Sequence, residues 1–157
     1  MPISFLTIAF DGSANATSAG WGFTVADSSY QSTIDFCGPV VMEPDEYFIG
    51  APAATNTTGE LSALYGCLRY MLTFAHGPVV IQCDFTCAVG VAKREMQARQ
   101  NVQLVRRVRR ALDSIETPIT WQKILAHSGH ALNEQADALA KQGQRGIRTG
   151  DIQRWYL

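Results

Sequence analysis

The chain begins with an apolar run, ISFLTIAF from Ile3 to Phe10, that is cut off at Asp11. Mixed β-branched and aromatic residues without polar alternation suit a strand covered on both faces. AGWGFTVADS and STIDFCGPVV follow as two further strands, linked by the polar turn DSSYQ. Strands in sequence with such short connections make a meander.

After the meander the pattern changes. Residues 42–58, MEPDEYFIGAPAATNTT, hold prolines, glycine and a Thr/Asn cluster and read as a long loop or an irregular edge. From Thr57 or Thr58 the apolar period becomes helical, with Leu61, Leu64, Leu68 and Leu72 on one side and Glu60 in the first turn. His76-Gly77-Pro78 ends that helix, and VVIQC from Val79 reads as a fourth strand buried on both faces. Asp84 comes next, then a short helical segment to about Met96. Residues 101–115 predict a helix with Val102, Val105, Val108 and Leu112 inward and arginines outward, and ITWQKILA from Ile119 predicts a fifth strand. A last helix opens at Leu132 and closes near Gly143, leaving a polar tail that ends in Trp155, Tyr156 and Leu157. The order β-β-β-α-β-α-α-β-α predicts an α/β fold, a five-stranded mixed sheet flanked by helices. Its 157 residues, 46% of them apolar and 17% charged, suit a single domain over 1–157 with a polar C-terminal tail from about 144.

The first residues show no basic segment before an apolar run, and nowhere do 18 apolar residues follow one another. The expectation is therefore a soluble, intracellular chain with no membrane partner, cytoplasmic by default, with organelle or virion left open. Cys37, Cys67, Cys83 and Cys87 include no C-x-x-C pair and read as buried thiols, not as a zinc site.

A net charge of -1 conceals an asymmetry: the first 68 residues carry seven acids and no Lys or Arg. Between Lys93 and Lys123 eight basic residues stand against three acidic ones. Such polarity suits cations at one place and a polyanion at another. If the first and fourth strands are neighbours, Asp11 and Asp84 stand side by side at the strand ends, where an open sheet forms its crevice. Their repulsion would be costly without a cation between them, and hard Mg²⁺ favours carboxylate oxygen. With Glu60 and Asp137, the set is a candidate for two-metal phosphoryl transfer. Each member also has a plainer explanation: Asp11-Gly12-Ser13 as a turn, Glu60 as an N-terminal helix acid, Asp84 as a cap, Asp137 as a solvated helix residue and His127 as a surface histidine.

DGSANATSAGWG, TNTTGEL, QCDFTCAV and HSGHALNEQADALA, in that order, resemble the motifs of type 1 ribonuclease H, or of the ribonuclease H domain of a reverse transcriptase. The resemblance covers about residues 5–143 and implies a ribonuclease H-like fold and endonucleolytic cleavage of the RNA strand in an RNA:DNA hybrid, leaving 3′-hydroxyl and 5′-phosphate ends. It implies two Mg²⁺ ions, with Mn²⁺ able to substitute. Asp11 would bridge them, Asp137 would complete the ion that activates water, and Glu60 and Asp84 would complete the ion at the leaving 3′ oxygen. His127 would assist proton transfer or product departure, and Glu134 would tune the water-side ion or serve as an ordinary helix acid. Asn56, Thr57 and the backbone near Ser13 and Asn15 are candidates for contacts to the RNA strand. Arg106, Arg107, Arg109 and Arg110 are candidates for the DNA strand, or a solvated helix face.

The sequence departs from the family pattern in four places. Thr57 stands where the family usually has a second asparagine, Cys83 and Phe85 replace the usual neighbours of Asp84, and Asn101 follows Asp84 by only 17 positions. Residues 42–55 enlarge the connection before the second motif. Two other classes fit: a DNA-directed polynucleotidyl transferase or junction resolvase of the same fold, and a catalytically inactive ribonuclease H-like binding module. The chain is expected to be a monomer, free-standing or a domain of a reverse transcriptase or other polyprotein.

Overall fold

Alternation along the first two strands separates large side chains from small ones, and that separation decides how closely each helix can approach. The computed structural model describes residues 5–27, 29, 32–75, 77–84, 87–125, 129–150 and 152–157. The sheet has the order β3-β2-β1-β4-β5, formed by β1 (Leu6–Ala14), β2 (Ala19–Ala26), β3 (Thr33–Pro39), β4 (Val79–Cys83) and β5 (Ile119–Lys123). β1 to β3 form the expected antiparallel meander, while β4 and β5 add in parallel. The helices are α1 (Asn56–Phe74), α2 (Cys87–Ala92), α3 (Val102–Asp113), α4 (Ala131–Gln144) and α5 (Gln153–Tyr156).

On one face of the sheet Ile8, Phe10, Trp21, Phe23 and Val25 pack with Leu61, Leu64 and Leu68 of α1 and with Leu104, Val105 and Val108 of α3. The other face carries Ala9, Asp11, Ser13, Gly20, Gly22 and Ala26, and α4 lies against it. Ala9 and Ala26 meet Leu132 and Ala136, and the Ser13 hydroxyl donates to Gln144 Oε1. A Cβ on Gly22 would stand 2.6 Å from Leu139 Cβ, inside any ordinary contact, so the helix rests on backbone there.

Three expectations about these elements need correction. α1 begins at Asn56, not at Thr57 or Thr58, because the Thr55 side chain accepts from the Thr58 N–H while the Thr58 hydroxyl accepts from the Thr55 N–H at 2.9 Å. This reciprocal cap moves Glu60 out of the first turn. In α3 the buried residues are Leu104, Val105, Val108 and Ala111, and Val102 is 47% exposed. At 3.6 residues per turn those four fall within about 120° of one another, and Val102 lies outside that arc, about 60° beyond Val105.

The third correction concerns the C-terminus, which is not a solvated polar tail. Ile152, Trp155 and Tyr156 are buried in the main core. Tyr156 stacks on Trp21 with ring centroids 5.1 Å apart, and Trp155 meets Phe36 edge-on at 5.2 Å. Arg69 Nε donates to the Trp155 carbonyl at 2.8 Å, and the Arg148 guanidinium lies 3.8 Å over the Tyr47 ring. Tyr47 belongs to the enlarged connection before α1, whose Ile49 and Ala51 are also buried. The polar residues between Gln144 and Gly150 conceal the aromatic anchor that follows them. Trp155→Ala is expected to cost about 3–5 kcal/mol, as for large aromatic truncations in a core. A solvated tail would give under about 0.5 kcal/mol. Urea unfolding of the two proteins distinguishes the cases.

Candidate active site

β1 has sheet partners on both sides only as far as Ala9, which pairs with Gln82 of β4. Its pairing with β2 continues to Ala14 and Ala19. Beyond Ala9 the β4 side of β1 opens, and two further steps along the register bring Asp84 level with Asp11 on the same face. Asp11 therefore lies within a strand, paired with Gly22, and not at the strand's end as expected. The strand runs on because Asn15 closes the hairpin tightly: its side-chain oxygen accepts from the N–H groups of Thr17 and Ser18, each at 2.9 Å.

The acids press on one another. Asp11 is 8% exposed. Its pKa is pushed from 3.8 up to about 8, first by burial and next by the charge of Asp84; the Gly12 N–H lowers it, and Asp137 raises it through charge and a hydrogen bond. Glu60 is pushed from 4.5 up to about 7 by burial and then by Asp84. Asp84 is thus the shared neighbour of the β1 acid and the α1 acid. Asp137 reaches Asp11 from the opposite layer because α4 sits so low on Gly20 and Gly22. From α1, Glu60 arrives through a second close approach: a Cβ on Gly12 would stand 2.6 Å from the Gly59 carbonyl carbon. The four expected acids therefore face one region. Among the described residues, however, no three His, Cys, Asp or Glu side chains are gathered tightly enough to form a ready-made metal cage.

Lys141, which the sequence reading did not single out, pairs with one of the expected acids. Its ammonium lies 2.9 Å from Asp137 Oδ2, one helical turn along α4. The acid-then-base spacing of four residues signals such a pair.

Other expected site residues divide by role. Asn56 and Thr57 are exposed in the first turn of α1. The side chains of Ser13 and Asn15 bond Gln144 and the hairpin turn, as already described. Arg107 Nε donates to the Tyr65 hydroxyl and its Nη2 to the Leu157 carbonyl, each at 3.3 Å. Arg109 Nε donates to the Val91 carbonyl at 2.9 Å. Arg106 and Arg110 are exposed, on the side of α3 opposite its buried stripe. Glu134 is exposed in the first turn of α4. His127 and Phe85 lie outside the described residues, as does the side chain of Cys87, whereas Cys37, Cys67 and Cys83 are buried free thiols as expected. Among the described residues no helix is long and apolar enough to cross a membrane.

The RNase H family model matches residues 4–145. Among solved structures, RNase H1 from the halophilic archaeon Halobacterium salinarum is similar at 17% identity and TM-score 0.68, covering 88% of this chain and 96% of that one. The N-terminal RNase H domain of Rv2228c from Mycobacterium tuberculosis, solved as a fusion with maltose-binding protein, is similar at 15% identity and TM-score 0.70, covering 92% and 95%. LC11-RNase H1, solved in complex with an RNA/DNA hybrid, is similar at 15% identity and TM-score 0.67, covering 89% and 96%. Sequence comparison with curated proteins gives no match.

Proposed function

The chain belongs to the RNase H family, and from that membership we propose that it is a divalent-metal-dependent endonuclease cutting the RNA strand of RNA:DNA hybrids. The observation that carries this reading is the pressure of Asp84 and Asp137 on Asp11, which burial alone does not account for. Buried like charges held together at a cost, at the open end of a central strand, are a common mark of a functional site. The donor set fits Mg²⁺ or Mn²⁺: all four side chains offer hard carboxylate oxygen.

In this proposal Asp11, Glu60, Asp84 and Asp137 would hold the ions, which when bound would supply an activated water and neutralise charge gathering on the phosphoryl group. Asp11 would serve both ions from the centre of the set. Asp137, with Lys141 beside it, would stand on the water side, while Glu60 and Asp84 would stand on the side of the leaving 3′ oxygen. Water's oxygen would bond to phosphorus and give up a proton to solvent as the bond to the 3′ oxygen breaks and that oxygen takes up a proton, leaving a 5′-phosphate and a 3′-hydroxyl. His127, on the segment between β5 and α4, is assigned proton transfer by family resemblance. Asn56 and Thr57, exposed beside Glu60 on α1, would touch the RNA strand, where 2′-hydroxyls distinguish RNA from DNA. The hybrid bound in the LC11-RNase H1 structure supports this choice of substrate.

A second reading is a binding module without hydrolysis. The lack of a tightly gathered triad among the described residues favours it, and so do Phe85 and Thr57 at motif positions. Incubation with matched RNA:DNA, RNA:RNA and DNA:DNA duplexes and a four-way DNA junction, in Mg²⁺, Mn²⁺ or chelator, separates the possibilities. The proposal expects internal cuts in the RNA of the hybrid alone, abolished by chelator. A hybrid bound but left intact in both metals would establish the binding module. Faster cutting of the junction or of the DNA duplex would establish a DNA-directed enzyme.

A further inference from the structure

The four arginines of α3 do not form one face. Arg107 and Arg109 border the buried stripe on its two sides and are tied to neighbouring groups, while Arg106 and Arg110 stand on the ridge between two grooves. The grooves differ in charge. On one flank a groove of about 730 Å³ runs between α3 and residues 94–98, and acids neutralise much of it. Asp113 grips Arg94 through two bonds of 2.9 Å, and Glu95 lies 3.0 Å from Lys93.

The other groove, about 460 Å³, lies between α3 and α1. Arg69 from α1 and Arg106, Arg107 and Arg110 from α3 line it, with Tyr65 and Leu157; among the described residues no acidic side chain does. Four guanidinium groups with no acidic side chain described among them stand out in a chain of net charge -1. Two of the four are held rigidly, Arg69 by the Trp155 carbonyl and Arg107 by Tyr65 and Leu157. Arg106 and Arg110, one turn apart, have no hydrogen bond or ion pair to their guanidinium groups among the described residues, so their donors are available to a ligand.

α1 and α3 run in the same direction. Thr57 and Leu61 share a cavity with Asn101 and Val105, whereas Tyr65 and Arg69 share the arginine groove with Arg106 and Arg110. The groove therefore begins beyond Glu60 and leads away from the acids; Arg69, nine residues after Glu60, lies about 14 Å along the helix at 1.5 Å per residue.

We propose that this α1–α3 groove binds nucleic-acid backbone phosphates, engaging the hybrid beyond the phosphate that is cut. This rests on the hybrid-cleaving reading for the identity of the polyanion. The chemistry favours phosphate: guanidinium forks bind phosphate oxygens in pairs, and a groove lined by several of them suits a strand whose charges repeat. A strand repelled by the acids at one end of α1 is held by arginines farther along it.

The test is hybrid binding without turnover, followed by fluorescence anisotropy in Ca²⁺ at several salt concentrations. The variant is Arg106→Gln with Arg110→Gln. These side chains hold no part of the fold together, and unchanged thermal unfolding checks this. The control is Arg145→Gln with Arg154→Gln, which removes equal charge from exposed sites outside the groove. The groove variant is expected to bind about tenfold more weakly and to flatten the log-log salt slope by roughly two units, about 0.9 for each phosphate that no longer meets a guanidinium. The control should stay close to the parent. Equal slopes in parent, groove variant and control would overturn the proposal. So would competition by poly-glutamate as effective as that by nucleic acid of equal charge, which would assign the groove to an acidic protein. Cleavage is not the readout, so the two proposals fail separately. A chain that binds through the groove but never cuts keeps this inference and loses the enzymatic one; a chain that cuts with unaltered salt slopes does the reverse.

Discussion

Asp11→Asn is expected to slow single-turnover cleavage of an RNA:DNA hybrid by about a thousandfold or more, the scale on which central electrostatic groups act. The substitution keeps the shape of the side chain. Asn offers the same oxygen to the Gly12 N–H, which donates to Asp11 Oδ1 at 2.9 Å. It removes a negative charge on which Asp84 and Asp137 both act, and with it the proposed central oxygen donor for the ions. Hybrid affinity in Ca²⁺ should change far less, because the groove arginines and the exposed first turn of α1 are untouched. Rapid-quench measurement with enzyme in excess over hybrid checks the rate without interference from product release. A wild-type rate for Asp11→Asn would remove this carboxylate from the chemistry.

The same substitution should stabilise the fold in chelator at high pH. An acid whose pKa is raised in the folded state, from 3.8 to about 8, binds more protons folded than unfolded across that interval. Stability therefore falls as pH rises from about 4 to 8 and levels off above, where both states are ionised. Glu60, raised from 4.5 to about 7, adds a decline in the same direction over a narrower interval. At about 1.4 kcal/mol per pH unit, the Asp11 contribution has a ceiling near 6 kcal/mol, and rearrangement around the acid should leave about half. Asp11→Asn is expected to gain about 3 kcal/mol at pH 8 and to lose that advantage near pH 4. On a domain of this size that is a rise in Tm of about 6–12 °C. Mg²⁺ should raise the Tm of the parent at pH 8 and have little effect at pH 5, since a proton on Asp11 competes with the ion. Calorimetry across pH measures both. A parent whose stability is flat from pH 5 to 8, equal to that of Asp11→Asn, would show that the acids do not repel as described.

Asp84 stands where the element pattern changes, and the register of β1 against β4 brings it level with Asp11 as the strand order required, whereas Asp11, Glu60 and Asp137 lie inside their elements and were singled out by their motifs. Other features were written in the sequence but overlooked. Large residues at Ile8, Phe10, Trp21 and Phe23 alternate with small ones at Ala9, Gly20 and Gly22, yet the run reads as uniformly apolar until the two helix layers are in place. Thr55 and Thr58 form a cap between hydroxyls, without the Glu or Gln that usually marks the motif. The division of the arginines follows from angle alone: about 100° per residue puts Arg107 and Arg109 beside the buried stripe and Arg106 and Arg110 opposite it. Placing that stripe required knowing that Leu104, not Val102, faces the core. Trp155 and Tyr156 gave no local signal, because what buries them is the distant Trp21, Phe36 and Tyr70.

The central claim is that Asp11, Glu60, Asp84 and Asp137 act as one cation site. Mn²⁺ binding, followed by electron paramagnetic resonance, tests it directly, with a 2′-O-methyl RNA:DNA hybrid present so that nothing is cut. The parent is expected to take up about two ions per chain. Asp11→Asn and Asp84→Asn should each weaken that uptake at least about tenfold, a change of roughly 1.4 kcal/mol in binding. Equal Mn²⁺ uptake by the parent and both variants would contradict the claim.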